Sequence, residues 1–281
     1  MANYYYVVSG LPTLTMEENK SVPSFANIIR HIEEELAPQD IKIVNAMRLP
    51  VDNKNLVNIL ESKDVEFDTR GCFSQAQLSN AVKSPEILPA YMRQFLEAHK
   101  ENRQLFAGLT PLDQLSWLFY DEMAESRNTF LKAWFEFDLG LRNVAVGLNV
   151  RKNLGHIEAL ATERDRPGMF TVIGRNDVAE AVLRSAAPDF GLSAAHPWVE
   201  KVVALSRGGL TEMERGLDDI RWAKLDELTA FTFFQAETIA AFIQKLMIVE
   251  RWMKLDPVAG RGKLDRLVEE LRGSFVMPAG F

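Results

Sequence analysis

The sequence predicts an all-α, elongated, multi-helix protein, and three observations predict it. Apolar residues recur at three- and four-residue intervals in one segment after another, the period of a helix with one buried face. Capping residues and prolines bracket those segments. Strands do not alternate with helices, which argues against a parallel α/β sheet. Hydrophobic residues make up 47% of the 281 and charged residues 25%, enough apolar side chain for a large core.

Taken in order, Tyr4 to Val8 is aromatic and β-branched and reads as a short strand or extended arm. Ser24 precedes a face of Phe25, Ile28, Ile29, Ile32 and Leu36, and Pro38 closes that helix. Short helices follow over Ile41–Met47 and, past Pro50, Asp52–Leu60. Ser74 and Gln77 have capping-box spacing. Leu88–Lys100 is helical by pattern, and Thr110-Pro111 starts the next helix with Thr as N-cap and Pro at the first position. The strongest stripe is Phe130, Trp134, Phe137, Leu141, Val144 and Leu148, on a helix from near Asn128 to Lys152, about 36 Å long. Asn176 caps a helix through Ala187, and Thr211 with Glu214 predicts a capping box. The last long helix starts near Glu237, with a stripe of Phe242, Leu246, Val249 and Met253. Asp256-Pro257 ends it, and a short helix over Lys263–Arg272 precedes a tail, 274–281. The chain reads as one unit over 1–281; the loop Glu163–Gly174 is where it would divide, into 1–165 and 166–273.

The net charge of −7 argues against nucleic-acid binding, which concentrates Lys and Arg. The N-terminus lacks the basic start of a secretory signal, and no apolar run approaches the ~20 residues of a membrane span. The one cysteine, Cys72, suits a reducing compartment and reads as packed rather than reactive. The expected location is the cytoplasm.

Catalytic motifs are lacking. His31, His99, His156 and His196 are scattered without zinc-ligand spacing. Gly260-Arg261-Gly262-Lys263 has Pro257 where a phosphate loop needs its first Gly, and Leu264 where it needs Ser or Thr. No catalytic, cofactor or metal-binding residues are assigned. Two polar features stand out. Asp138 and Arg142, four apart, flank the longest stripe and lead to Asn143, Arg151 and Lys152; Glu250, Arg251 and Lys254 flank the last one. They read either as surface ion pairs worth a few tenths of a kcal/mol each or as the charged inner wall of a helical funnel where a partner docks.

Three stretches carry a resemblance. Trp134-Phe135-Glu136-Phe137-Asp138-Leu139-Gly140-Leu141-Arg142-Asn143-Val144 is one, continuing to Leu148 and Arg151-Lys152. Phe233-Phe234 through Ala241-Phe242-Ile243 to Glu250-Arg251-Trp252 is the second, and Tyr4-Tyr5-Tyr6 with Ser9-Gly10-Leu11-Pro12 the third. Together they resemble a bacterial family encoded within vacuolar-type ATP synthase operons. That family is itself similar to the central-stalk C component (d in the vacuolar enzymes) of V/A-type ATP synthases. The resemblance implies a non-catalytic, funnel-shaped rotor component of three related helical units. Its partners would be the shaft subunits D and F and the membrane proteolipid ring, and its place peripheral, on the inner membrane. Asp52–Leu60, Asp138–Leu148 and Leu246–Leu255 are the candidate equivalent helices: Asn55-Leu56 and Asn143-Val144 share an Asn followed by an apolar residue, and Trp252 replaces the Asn in the third. A helical adaptor or assembly factor of the same complex is the alternative. A helical enzyme would instead need a deep pocket with convergent titratable groups.

Overall fold

The computed structural model describes residues 4–16, 24–160 and 171–254, leaving aside the side chains of 153–160. Eleven α-helices and one 3-10 turn make up its regular structure, with no strand among the described residues. They are α1 (Tyr5–Gly10), α2 (Phe25–Glu35), α3 (Pro38–Leu60), α4 (Gln75–Ala81), the turn Pro85–Ile87, α5 (Ala90–Lys100), α6 (Pro111–Ala124), α7 (Thr129–Leu160), α8 (Asp177–Arg184), α9 (Trp198–Leu205), α10 (Leu210–Thr229) and α11 (Ala236–Lys254).

The stripe on α7 is the spine of the core. All six of its predicted members are buried, Leu141 and Val144 completely. At ~1.5–3 kcal/mol per buried large side chain, this face contributes on the order of 10 kcal/mol before chain entropy is subtracted. The helix runs 32 residues, about 48 Å. Neighbouring helices pack in the sequence α3 on α6, α6 on α7, α7 on α10, α10 on α11, and α11 back onto α3, so the five close a ring. The hydrophobic core is continuous, running from Tyr4 and Val7 through α7 to Met247.

Capping decides several helix starts. Ser74 and Gln77 form the reciprocal capping box, Thr110 accepts from the Asp113 amide at 3.1 Å, and Asn176 accepts from the Ala179 amide at 2.8 Å. Asn128 caps α7 through the Leu131 amide and also donates to Glu237 at 2.9 Å, tying the start of α7 to the start of α11.

Several expectations are corrected. Tyr4–Val8 is no strand: Tyr5–Gly10 is helical, because Tyr4 and Val7, three apart, both bury on one face, and the Tyr4 amide goes to the Phe234 carbonyl rather than to a sheet. Ile41–Met47 and Asp52–Leu60 are one helix, with Pro50 inside it. Pro50 leaves the Ala46 carbonyl without its helical amide, but buried Met47, Leu56 and Val57 hold both halves on the core. Pro38 opens α3 instead of merely closing α2. Pro89 keeps Leu88 extended, so the predicted Leu88 start moves to Ala90. Gly209, not Thr211, occupies the N-cap of α10. Met253 is exposed, the buried face of α11 being Ile239, Ala240, Ile243, Leu246 and Met247. The segments 256–281, with the basic turn at Gly260, the helix over Lys263–Arg272 and the tail, lie outside the described residues.

Candidate functional site

Three long helices, α3, α7 and α11, turn matched positions onto one shared cavity. When they are set in register on Asn55, Asn143 and Trp252, Met47 coincides with Phe135 and Gln244. Pro50 likewise coincides with Asp138 and Met247, and all six residues line the same cavity of about 290 Å³. The two asparagines do the same work. Asn55 donates to the Asp68 carbonyl at 2.8 Å and accepts from the Asp68 amide at 3.1 Å; Asn143 donates to the Ile173 carbonyl at 2.8 Å and accepts from the Ile173 amide at 3.2 Å. Each thus clamps the loop that follows its helix by both backbone groups of one residue. Trp252 instead donates its indole N–H to Asp218 at 2.8 Å.

Helix α10 brings charge to this cavity. Asp218, 2% exposed, accepts from Arg221 at 3.1 Å, from Arg251 and from Trp252. Arg221 also donates to Asp138 at 3.0 Å, and Arg251 to Glu214 at 3.0 Å. Asp138 takes a further hydrogen bond from the Tyr120 hydroxyl at 2.8 Å. Burial opposes the charge on Arg221, but the Asp138 and Asp218 carboxylates outweigh it and hold the guanidinium above its ordinary range. Burial, and then the Asp138 carboxylate, keep the Tyr120 phenol protonated well beyond the usual range. Arg70 lines the cavity from the loop after α3: its guanidinium grips Asp68 with two nitrogens, at 2.9 and 2.5 Å, and donates to the Met247 carbonyl at 3.2 Å. Every carboxylate facing the cavity is matched by a guanidinium. The result is a fixed ion-pair lattice rather than an acid and a base left poised for proton transfer.

The eight residues singled out from the sequence do not converge on one place. Asp138 and Arg251 enter this lattice. Asp138 and Arg142 do not pair with each other despite their spacing: Arg142 pairs with Asp113 at 2.6 Å and donates to the Thr171 carbonyl at 2.8 Å. Asn143, fully buried, is a loop clamp. Arg151 lies over the Phe190 ring at 3.8 Å and donates to the Ala187 and Ser185 carbonyls, and Lys152 donates to the Ser206 carbonyl at 3.0 Å. Since Ser185 and Ser206 are the C-caps of α8 and α9, these two cations satisfy helix C-termini. Glu250 accepts from the Phe25 amide at 3.2 Å, joining α11 to α2, and Lys254 is exposed. Sequence reasoning missed Tyr120, Asp218, Arg221 and Arg70; the Asp218–Arg221 spacing of three was the one available signal.

A second buried network stands beside the first. Asp52, with no exposed surface, accepts from the Cys72 amide at 2.7 Å and the Phe73 amide at 3.2 Å, and burial pushes its carboxyl up to about 6 against these bonds. Arg48 donates to the Arg70 carbonyl at 3.0 Å, to the Gly71 carbonyl at 2.5 Å and to Glu33 at 2.8 Å. Burial, followed by the Asp52 charge, pushes the Cys72 thiol up, so it stays protonated and packed. A groove of about 820 Å³ runs as an open furrow between α9 and α10 past Trp198, Lys201 and Ile220.

A family model described as "Protein of unknown function (DUF2764)" matches residues 1–274. The chain belongs to that family. No curated protein and no solved structure matches this DUF2764 chain. Among its described residues no helix is long and apolar enough to cross a membrane.

Proposed function

We propose that this DUF2764 chain is a non-catalytic central-stalk component of a V/A-type ATP synthase, coupling the D–F shaft to the membrane proteolipid ring. One observation supports it most: α3, α7 and α11 present matched positions to a common charged cavity within a closed ring of helices. A part that passes rotation onward needs stiffness, and close-packed helices resist compression. It also needs polar groups fixed in place to hold a partner, because a grip that forms and releases is more polar than a permanent core. The lattice of Asp138, Asp218, Arg221 and Arg251 has both properties, and its carboxylates are already satisfied, which suits seating better than catalysis.

The test is affinity purification of the native ATPase through a tag on this chain, with quantitative mass spectrometry of the product. A fixed one-to-one ratio with the D and F subunits is expected. A variable, substoichiometric ratio would favour an assembly factor of the same complex, and recovery without any ATPase subunit would overturn the proposal.

A further inference from the structure

A groove of about 380 Å³ runs between the second half of α7 and the start of α10, lined by Ala145, Val146, Leu148, Leu210, Met213 and Leu217. Leu210, 79% exposed, stands at its edge. The two charged residues that line it are already engaged: Lys152 donates to the Ser206 and Gly208 carbonyls, and Glu214 accepts from Arg251. What the groove offers an occupant is therefore chiefly hydrocarbon.

Helix α11 leads the chain to this groove. It runs antiparallel to α10, for Lys245 meets Asp226 at 2.5 Å and Arg251 meets Glu214 at 3.0 Å. Lys254, three residues past Arg251, is about 4.5 Å further on and level with the first turn of α10. Beyond it, 255–281 lie outside the described residues. Their sequence carries the complement of the groove: Leu264, Leu267, Val268 and Leu271 recur at intervals of three and four, and every other position from Lys263 to Arg272 is charged. An apolar stripe on so short a segment needs a surface to pack on, because a lone helix of that length is marginal in water. The linker 255–262 spans up to about 27 Å, enough to bring the stripe to the groove. A segment tethered so near meets the groove at an effective concentration on the order of millimolar, ahead of separate proteins at micromolar levels. The family match runs to residue 274, so the segment belongs to the unit that the family shares.

We propose that the groove between α7 and α10 is the seat of the chain's own segment 263–272, with Leu264, Leu267, Val268 and Leu271 turned into it. Seated there, the segment covers Leu210 and straps the start of α10 to α7. Glu214 lines the groove and also holds Arg251 of the charged lattice, so the strap braces the helix that carries Asp218 and Arg221. This inference does not depend on the central-stalk reading.

The experiment uses the full chain with paired substitutions, treated with a short bis-maleimide at micromolar protein. One chain carries Met213→Cys and Val268→Cys. The control carries Ala204→Cys and Val268→Cys, its first site lining the separate furrow between α9 and α10. Single-cysteine variants report any bond to the native Cys72, and the helicity of each variant is checked against the unaltered chain. The expected result is a cross-link within one molecule for the first pair and none for the control. Adding Leu267→Asp to the first pair should slow that cross-link by about ten-fold or more. A linked dimer in place of the linked monomer would overturn the proposal in favour of a second copy. Equal rates for both pairs, or a rate that Leu267→Asp leaves unchanged, would mean undirected collision and overturn it. A folded chain in which the first pair never links would overturn it too, leaving the groove to a different occupant.

Discussion

Replacing Asp218 by Ala tests whether the charged cavity is held together as described. The carboxylate is 2% exposed and accepts three donors, from Arg221, Arg251 and Trp252. Removing one partner from a buried ion pair costs ~3–5 kcal/mol, because the surviving charge is left without a counterion. Here the loss is tempered. Arg221 keeps Asp138, and Arg251, whose side chain is 39% exposed, keeps Glu214 and can be hydrated. The ionic part therefore falls at the low end of that range, about 3 kcal/mol, and the stranded indole N–H adds ~1 kcal/mol. At this chain length about 2 °C of midpoint corresponds to each kcal/mol, so Asp218→Ala lowers the thermal midpoint by roughly 6–8 °C. Asp218→Asn keeps the shape and one acceptor oxygen and loses about half of that.

Scanning calorimetry of the unaltered chain, Asp218→Ala, Arg251→Met and the double variant measures both the loss and the coupling. The double variant should lose clearly less than the sum of the singles, since either substitution alone already breaks the Asp218–Arg251 contact. A midpoint shift under about 2 °C for Asp218→Ala, or strictly additive losses, would refute the reasoning, for it would mean that the lattice is solvated and contributes nothing to holding α10 against α11.

Three further outcomes are expected. Asp52, pushed up to about 6 in the fold from 3.8, favours the folded state when protonated. Its contribution, on the order of 3 kcal/mol, is fully present below pH 4 and is lost as pH rises through 6, so the stability difference between the unaltered chain and Asp52→Asn should vary with pH across that window in urea titrations, and a difference flat in pH would refute it. Gly71→Ala would bring a Cβ to 2.1 Å from the Asp52 carboxylate, so a loss of about 2–3 kcal/mol is expected in the same titrations. Asn143→Ala leaves the buried Ile173 amide and carbonyl unpaired, costing ~2–4 kcal/mol, and hydrogen exchange should show the Ile173 amide losing its protection first; Asn55→Ala should do the same at Asp68.

Much of this architecture was readable because it rests on local signals. The α7 stripe follows from the spacing of six apolar residues, and Ser74, Thr110 and Asn176 announce helix starts by side-chain chemistry that acts within three residues. What the sequence concealed was decided at long range. Tyr4-Tyr5-Tyr6-Val7-Val8 has the β-branched and aromatic composition of a strand, but the burial of Tyr4 and Val7 and long-range bonds from the Tyr4 amide to Phe234 and the Tyr4 hydroxyl to Asp40 fix it as the lead-in to a helix and as that helix's first turns. Pro50 looks like a helix boundary in isolation, but burial on both sides outweighs one lost hydrogen bond. The site was half legible for the same reason. Asp138 and Arg142 invite a pairing four residues apart, yet Asp138 meets Arg221, 83 residues away, and Arg142 meets Asp113, 29 residues away. Local spacing offers a modest ion pair, whereas the fold offers partly buried ones with more hydrogen bonds.

The repeat itself bears on how such a part would work. At one register of the three long helices the cavity receives Pro50, Asp138 and Met247; at another it receives Met47, Phe135 and Gln244. Matched positions recur on three helices, but the charge does not. Asp138 has a proline and a methionine in the equivalent places, and Asp218, Arg221 and Arg251 crowd the sector between α7 and α11. A socket with three equal sectors would hold a shaft equally well in three orientations, and under torque it could slip by a third of a turn without loss of energy. Placing the ion-pair lattice in one sector makes the orientations unequal, because a partner turned by one step would present its polar groups to Pro50 or Met247 and leave them unpaired, at a cost of ~1–3 kcal/mol for each buried group. On the central-stalk reading, it is this departure from the repeat, rather than the repeat, that would keep shaft and socket in register.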